Sequence, residues 1–210
     1  MAASSLSSAG KTIIYRPTDL YPMGSGARKQ REALKVASGV IATSAEVLSA
    51  LDLPDDVPRV NIPNGVEFQR FNATDGVERF GAVYVGAFDD RFDWNAVKAF
   101  AEAVPEAPVR LAGPGNSAPA GLPDNVDVLG PIPYEAVPGL LASARVGLLP
   151  FSNAVGNRGR SPMKLYEYLA AGLSVLSKST PVIDSYEIPN VVTYQTLSTG
   201  ADSYRNLHQH

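Results

Sequence analysis

Short, continuous apolar runs recur along the chain, and they limit its fold more than any other feature. They lie at 12–15, 40–43, 82–85, 109–112, 126–129, 146–149, 174–176 and 191–194, and are rich in Val, Ile and Leu. Runs that do not alternate with polar residues suit strands covered on both faces. Helix-like segments fill several gaps, at 27–37, 45–51, 95–103, 135–142 and 163–171. In the last, Met163, Leu165, Tyr166, Leu169 and Ala170 form a broad apolar stripe. Strand–helix alternation predicts βαβ units and an α/β fold, a doubly wound parallel sheet with right-handed crossovers.

Composition narrows the function. The 210 residues contain no cysteine, which removes disulfides, thiol nucleophiles and most zinc sites. The net charge of −3, without a basic run, argues against a protein that grips duplex nucleic acid. No apolar stretch approaches membrane-spanning length, and the first residues lack a secretion signal, so a cytoplasmic location, or a peripheral one at a membrane, is expected. Beyond the serine-rich first eight residues there is no low-complexity tract.

Turn-forming clusters at 53–58 and 62–65 flank a short apolar step, and the stretch 68–80 is polar and unpatterned, reading as a linker. The chain is therefore divided into 1–65 and 66–210. The first part holds two candidate strands and two helices, an incomplete βαβ remnant too small for a stable sheet of its own. It should leave an apolar sheet edge uncovered, which implies a partner chain, a second copy or local disorder.

Ligands of open parallel sheets bind beyond the carboxyl ends of the strands. Here Gly86, Gly113 and Gly130 each follow a run directly. They either make tight βα turns or let the backbone approach a nucleotide or phosphate. Neither a dinucleotide fingerprint nor a P-loop is present.

The segment 158–172 carries more. Ser161 suits an N-cap, Pro162 the first helical position and Gly172 the stop. That places Lys164 in the first turn, with Arg158 and Arg160 just outside. Cations at a helix amino end oppose the dipole, so the arrangement serves stability badly and a diphosphate well, unless all three extend into solvent. Glu167, one turn further, has a carboxylate able to accept from the paired hydroxyls of a ribose, or else is exposed and paired with Lys164. Asp89, Asp90 and Asp93 lack an Asp-x-Asp metal-binding spacing and read as loop or helix-start carboxylates. Phe92 and Trp94 should pack the following helix on the sheet, and the two histidines, 208 and 210, read as solvated tail residues.

Two blocks, 130–151 with Gly130-Pro131-Ile132-Pro133-Tyr134-Glu135, and 161–176 with Ser161-Pro162-Met163-Lys164-Leu165-Tyr166-Glu167, are similar to the nucleotide-sugar half of GT-B fold glycosyltransferases. The match is to the retaining group 1 kind related to teichuronic acid biosynthesis enzymes. Val40-Ile41-Ala42-Thr43-Ser44, followed by Ile62-Pro63-Asn64-Gly65-Val66, resembles that family's hinge, and Tyr84-Val85-Gly86-Ala87 its next strand and glycine. The resemblance implies that Glu167 binds the nucleotide ribose. It puts Lys164, Leu165 and the lead-in Arg160-Ser161-Pro162 at the donor sugar and phosphates. It sets Gly86, Arg91 and Gly113 on the rim facing the diphosphate, and Ile132 near the base. The family's second glutamate, eight positions before the ribose-binding one, is here Gly159.

Those expectations amount to a UDP- or GDP-sugar-binding domain of polysaccharide biosynthesis, with no metal and no further cofactor. Full-length relatives transfer the sugar to an acceptor hydroxyl with retention. The acceptor half is expected to be reduced to a remnant and the closing helices to be incomplete, so no catalytic base is named. A non-catalytic or split nucleotide-sugar-binding module is the alternative. An oxidoreductase is disfavoured by the missing glycine fingerprint.

Overall fold

The computed structural model describes residues 10–72 and 78–208. The serine-rich start, the centre of the expected linker and the tail histidine side chains lie outside the described residues. The chain divides into two compact units, one of 1–64, 155–161 and 180–182, the other of 65–154, 162–179 and 183–210.

In the first unit, β1 (Ile14–Tyr15), β2 (Gly39–Ala42) and β3 (Arg59–Asn61) form a parallel sheet in that order. Helices α1 (Gly24–Leu34) and α2 (Ala45–Ser49) connect them. The Ser44 hydroxyl caps α2, accepting from the Val47 N–H at 3.1 Å, and donates to the Gly159 carbonyl at 2.7 Å. Three strands form where two are expected from the sequence. All of β3 is exposed, so it needed no apolar run and left no periodic signal. Ile14, Val60 and Ile62 of this unit are exposed.

The second unit is a six-stranded sheet, parallel throughout, of β4 (Ala82–Val85), β5 (Val109–Ala112), β6 (Val126–Gly130), β7 (Val146–Leu149), β8 (Ser174–Lys178) and β9 (Val191–Tyr194). Its order is β6-β5-β4-β7-β8-β9. The chain winds outward from β4 to one edge, returns to the other side of β4, and winds outward again. The order reverses between β4 and β7, the switch point at which doubly wound sheets open a crevice.

Successive residues of each central strand enter opposite cores, as strand geometry requires. Ala82, Tyr84, Val146, Leu148 and Leu176 join a core with helices α4 (Trp94–Ala103) and α9 (Leu197–His208). Val83, Leu149 and Val175 join another with α3 (Phe68–Phe71), α5 (Val137–Ala142) and α7 (Met163–Ala170). Both faces are thus covered, which is why the strands read as unbroken apolar runs. Short helices α6 (Val155–Arg158) and α8 (Pro181–Asp184) complete the chain.

The linker expected at 68–80 is not one throughout: α3 buries Phe71 to 1% exposure in the second core. A single helical turn is too short to show a period, so the pattern missed it. The apolar stripe of α7 also differs from expectation. Leu165, Tyr168 and Ala170 are buried, whereas Met163 is 54% exposed.

Candidate donor site at the switch point

Helix α7 is built by its two ends. Its carboxyl end is a Schellman motif: Gly172, at φ +75°, donates to the Leu169 carbonyl at 3.0 Å, and Leu173 donates to Tyr168 at 3.0 Å. Only glycine takes that conformation without strain. The amino end differs from the expected cap. Pro162, extended at φ −76° and ψ 123°, is itself the N-cap, and no side chain caps the helix. Ser161 lies one residue outside; its hydroxyl accepts from the Asn64 N–H at 3.2 Å and its carbonyl from the Asn64 amide at 2.7 Å, all within the first unit. Extended backbone at Pro162 carries the serine past the point from which a cap could reach.

Lys164, in the first turn of α7, lies over the end of β4. A methyl group on Gly86 would stand 2.1 Å from the Lys164 Cε and 2.9 Å from its Nζ. The next glycine on the rim has a different reason for its type. A methyl group on Gly113 would stand 1.9 Å from the Gly86 carbonyl oxygen, so here backbone approaches backbone. Gly130, at φ +70°, has open space around it and accepts the Gly113 N–H at 2.8 Å through its carbonyl.

Glu167, one turn along α7, is 8% exposed. It is not the exposed partner of Lys164: no ion pair within 4 Å and no hydrogen bond reaches its carboxylate among the described residues. Burial holds its carboxyl above the usual glutamate range, and the charge of Lys164 offsets part of that rise. With no protein donor among the described residues, and with oxygens that are not sealed away from water, the carboxylate is open to a ligand. Two ligand hydroxyls would supply the missing donors.

The remaining expected residues divide. Arg91 forms a forked ion pair with Asp89 in its own loop, Nε lying 3.1 Å from one carboxylate oxygen. Any ligand phosphate would have to share that guanidinium. Asp93 caps α4, accepting from Asn95 and Ala96 N–H groups at 2.9 and 3.2 Å. Phe92 and Trp94 pack in the first core beside Tyr84 and Phe88, Tyr84 and Phe92 having ring centroids 4.6 Å apart. Ile132 is partly buried against the second core. Leu165 is fully buried and its N–H is bonded to the Pro162 carbonyl, so its side chain packs rather than binds. Pro162 opens the second unit and is buried; Arg160 and Ser161 belong to the first unit, as does Arg158, which is exposed.

Sequence reasoning overlooked Tyr168, which is fully buried and accepts the Val85 N–H at 2.9 Å through its hydroxyl. The signal available was Gly147, a glycine inside an apolar strand, which marks close approach of another group. No helix among the described residues is long and apolar enough to cross a membrane, and no group of acidic or histidine side chains among them is arranged to hold a metal.

The fold is that of GT-B glycosyltransferases. It superposes on HepE of Anabaena, crystallised with UDP and glucose, with a TM-score of 0.77 at 15% identity, covering 98% of this chain and 64% of that one. S. aureus TarM gives 0.69 at 11%, covering 95% and 44%. The carboxy-terminal domain of the group 1 glycosyl transferase LpcC from Francisella tularensis gives 0.53 at 13%, covering 70% and 89%. By sequence the chain is 27% identical over 151 residues to a protein of Bacillus subtilis strain 168 named as a teichuronic acid biosynthesis glycosyltransferase, TuaH. That stretch is 63% of this chain and 37% of the relative's length. Residues 92–209 match the model of the glycosyl transferase-like family, and the chain belongs to that family.

Proposed function

We propose that the second unit binds a nucleoside-diphosphate sugar, and that the complete enzyme transfers the sugar to an acceptor hydroxyl with retained anomeric configuration. One observation carries this reading. On a single helix, a lysine lies over Gly86 at the end of β4 and, one turn along, a largely buried glutamate has no protein donor among the described residues. The cation suits a diphosphate and the carboxylate a vicinal diol, and a nucleoside diphosphate offers both.

In that role Glu167 accepts from the ribose hydroxyls. Lys164 holds the diphosphate and stabilises the charge that grows on it as the bond to the sugar breaks, the main electrostatic task of such a transfer. Gly86 and Gly113 leave the rim without side chains, and Ile132 lies beside the base. UDP is preferred to GDP on the strength of the HepE complex, and glucose is the first sugar to try. The relative named for teichuronic acid biosynthesis supports a part in polysaccharide assembly.

The test is calorimetric titration of the chain with UDP, GDP, UDP-glucose and uridine. UDP and UDP-glucose should bind, and uridine more weakly. No binding of any nucleotide would overturn the reading. Release of UDP from UDP-glucose with an acceptor mixture would show transfer, and binding without release would mark a binding module.

A further inference from the structure

The pairing of β4 with β7 is shorter than its pairing with β5. On the β5 side all four residues of β4 are matched, Val85 facing Ala112. On the β7 side only Ala82 and Val83 are matched, with Val146 and Gly147. Backbone N–H groups of a strand alternate between its neighbours. Gly86 donates to Ala112 on the β5 side, so the N–H of Val85 faces β7, after the two strands have parted. This is the switch point itself, and a buried N–H there needs a substitute acceptor.

The substitute comes from α7. The Tyr168 hydroxyl accepts the Val85 N–H at 2.9 Å, from a residue with no exposed surface. Its ring lies directly on β7: a methyl group on Gly147 would stand 2.3 Å from the Tyr168 Cδ2. The ring therefore occupies the fork between the strands, and the hydroxyl completes the sheet where the ladder stops. Burial raises the phenol well above its ordinary range, so it stays a neutral hydroxyl.

Tyr168 and Lys164 are four residues apart, on one face of α7. They meet consecutive residues of β4, Tyr168 at Val85 and Lys164 at Gly86. We infer that Tyr168 is a positioning residue: it locks the end of β4 to α7 and so fixes the lip on which Lys164 meets a diphosphate. The inference rests on the donor-site reading above. It gives the hydroxyl a task in binding that the ring alone, which fills the core, does not perform.

The experiment compares the full chain with Tyr168→Phe, which keeps the ring and removes only the acceptor. Affinities for UDP and uridine are measured below both melting transitions, and exchange of the Val85 amide is followed by NMR. Locking of the lip requires the ratio of UDP to uridine affinity to fall about fivefold or more. It also requires the Val85 amide to exchange at least tenfold faster while the Gly86 amide, bonded to Ala112, is unaltered. A merely structural hydroxyl would lower the melting temperature and leave the ratio unchanged, overturning the inference while the donor-site reading stands. A Phe variant without a cooperative melt would overturn it too, since the hydroxyl would then serve the whole fold. Wild-type protein that binds no nucleotide would remove the donor-site reading and this inference together.

Discussion

The Lys164 side chain occupies the space above Gly86 that any other residue type would fill, its Cε lying 2.1 Å from the site of the absent methyl group. The glycine and the lysine are therefore one device. Three rim glycines look alike in the sequence, yet Gly86 makes room for a cation, Gly113 for a carbonyl, and Gly130 for a left-handed turn. If Gly86 acts through Lys164, Gly86→Ala should weaken UDP binding as much as Lys164→Ala does. That loss should be about 1.5–3 kcal/mol, the usual worth of a charged hydrogen bond. The double variant should then be no worse than either single one. Additive losses by calorimetry would mean that the glycine admits the ligand itself.

Lys164→Ala also separates binding from stability. Helix α7 has no acidic residue in its first turn and no side-chain cap, so nothing in that turn offsets the positive end of its dipole. Removing the cation relieves that end of the helix but also takes away the charge that offsets the burial of Glu167, so the melting temperature should change little while UDP affinity drops. A clear fall in melting temperature with unaltered affinity would make Lys164 a structural residue.

What the sequence disclosed and what it hid follow from how each feature is encoded. The β4, β5 and β7 runs were legible to the residue because both faces of those strands are covered, and continuous apolar character is a strong signal. Strand β3 and helix α3 were hidden, the one fully exposed and the other a single turn around Phe71. Lys164 and Glu167 were legible as an odd pair on an otherwise apolar helix. The cap was misread because Ser161-Pro162 satisfies the local preference for a helix start, while its hydroxyl is engaged by Asn64, a residue 97 positions away. Tyr168 was hidden for the same reason: its importance lies in a bond to Val85, 83 positions away.

Glu167 ties stability to pH in a direction opposite to that of most carboxylates. Burial raises its value in the folded chain above that of the unfolded one, so the folded form holds the proton more strongly. Its contribution to stability is complete below the ordinary glutamate value and is lost as pH rises through the raised one. Glu167→Gln, with no charge to bury, should therefore melt higher than wild type near neutral pH, and the gap should close on acidification. UDP affinity should behave conversely. Wild type should lose affinity as pH falls through the raised value, whereas the Gln variant should bind weakly at every pH. A melting difference independent of pH would show that ionisation of Glu167 does not oppose folding.

Tyr194 offers a test of the core away from the site. It is 2% exposed, and its hydroxyl is buried with no hydrogen-bond partner among the described residues. Its ring meets Phe100 edge-on, with centroids 5.3 Å apart, and Lys178 lies over it at 5.8 Å. Phenylalanine keeps both contacts and removes the unpaired group, whose burial costs about 1–3 kcal/mol. Loss of the oxygen's own packing offsets part of that. Tyr194→Phe should thus stabilise the chain by about 1 kcal/mol, a rise of about 2–4 °C for a domain of this size. The affinity for UDP should not change, since β9 is the edge strand farthest from β5 and β6 and three strands removed from β4. A lowered melting temperature would mean that the hydroxyl is bonded to a buried water, and the first core would then be polar at its rim rather than closed.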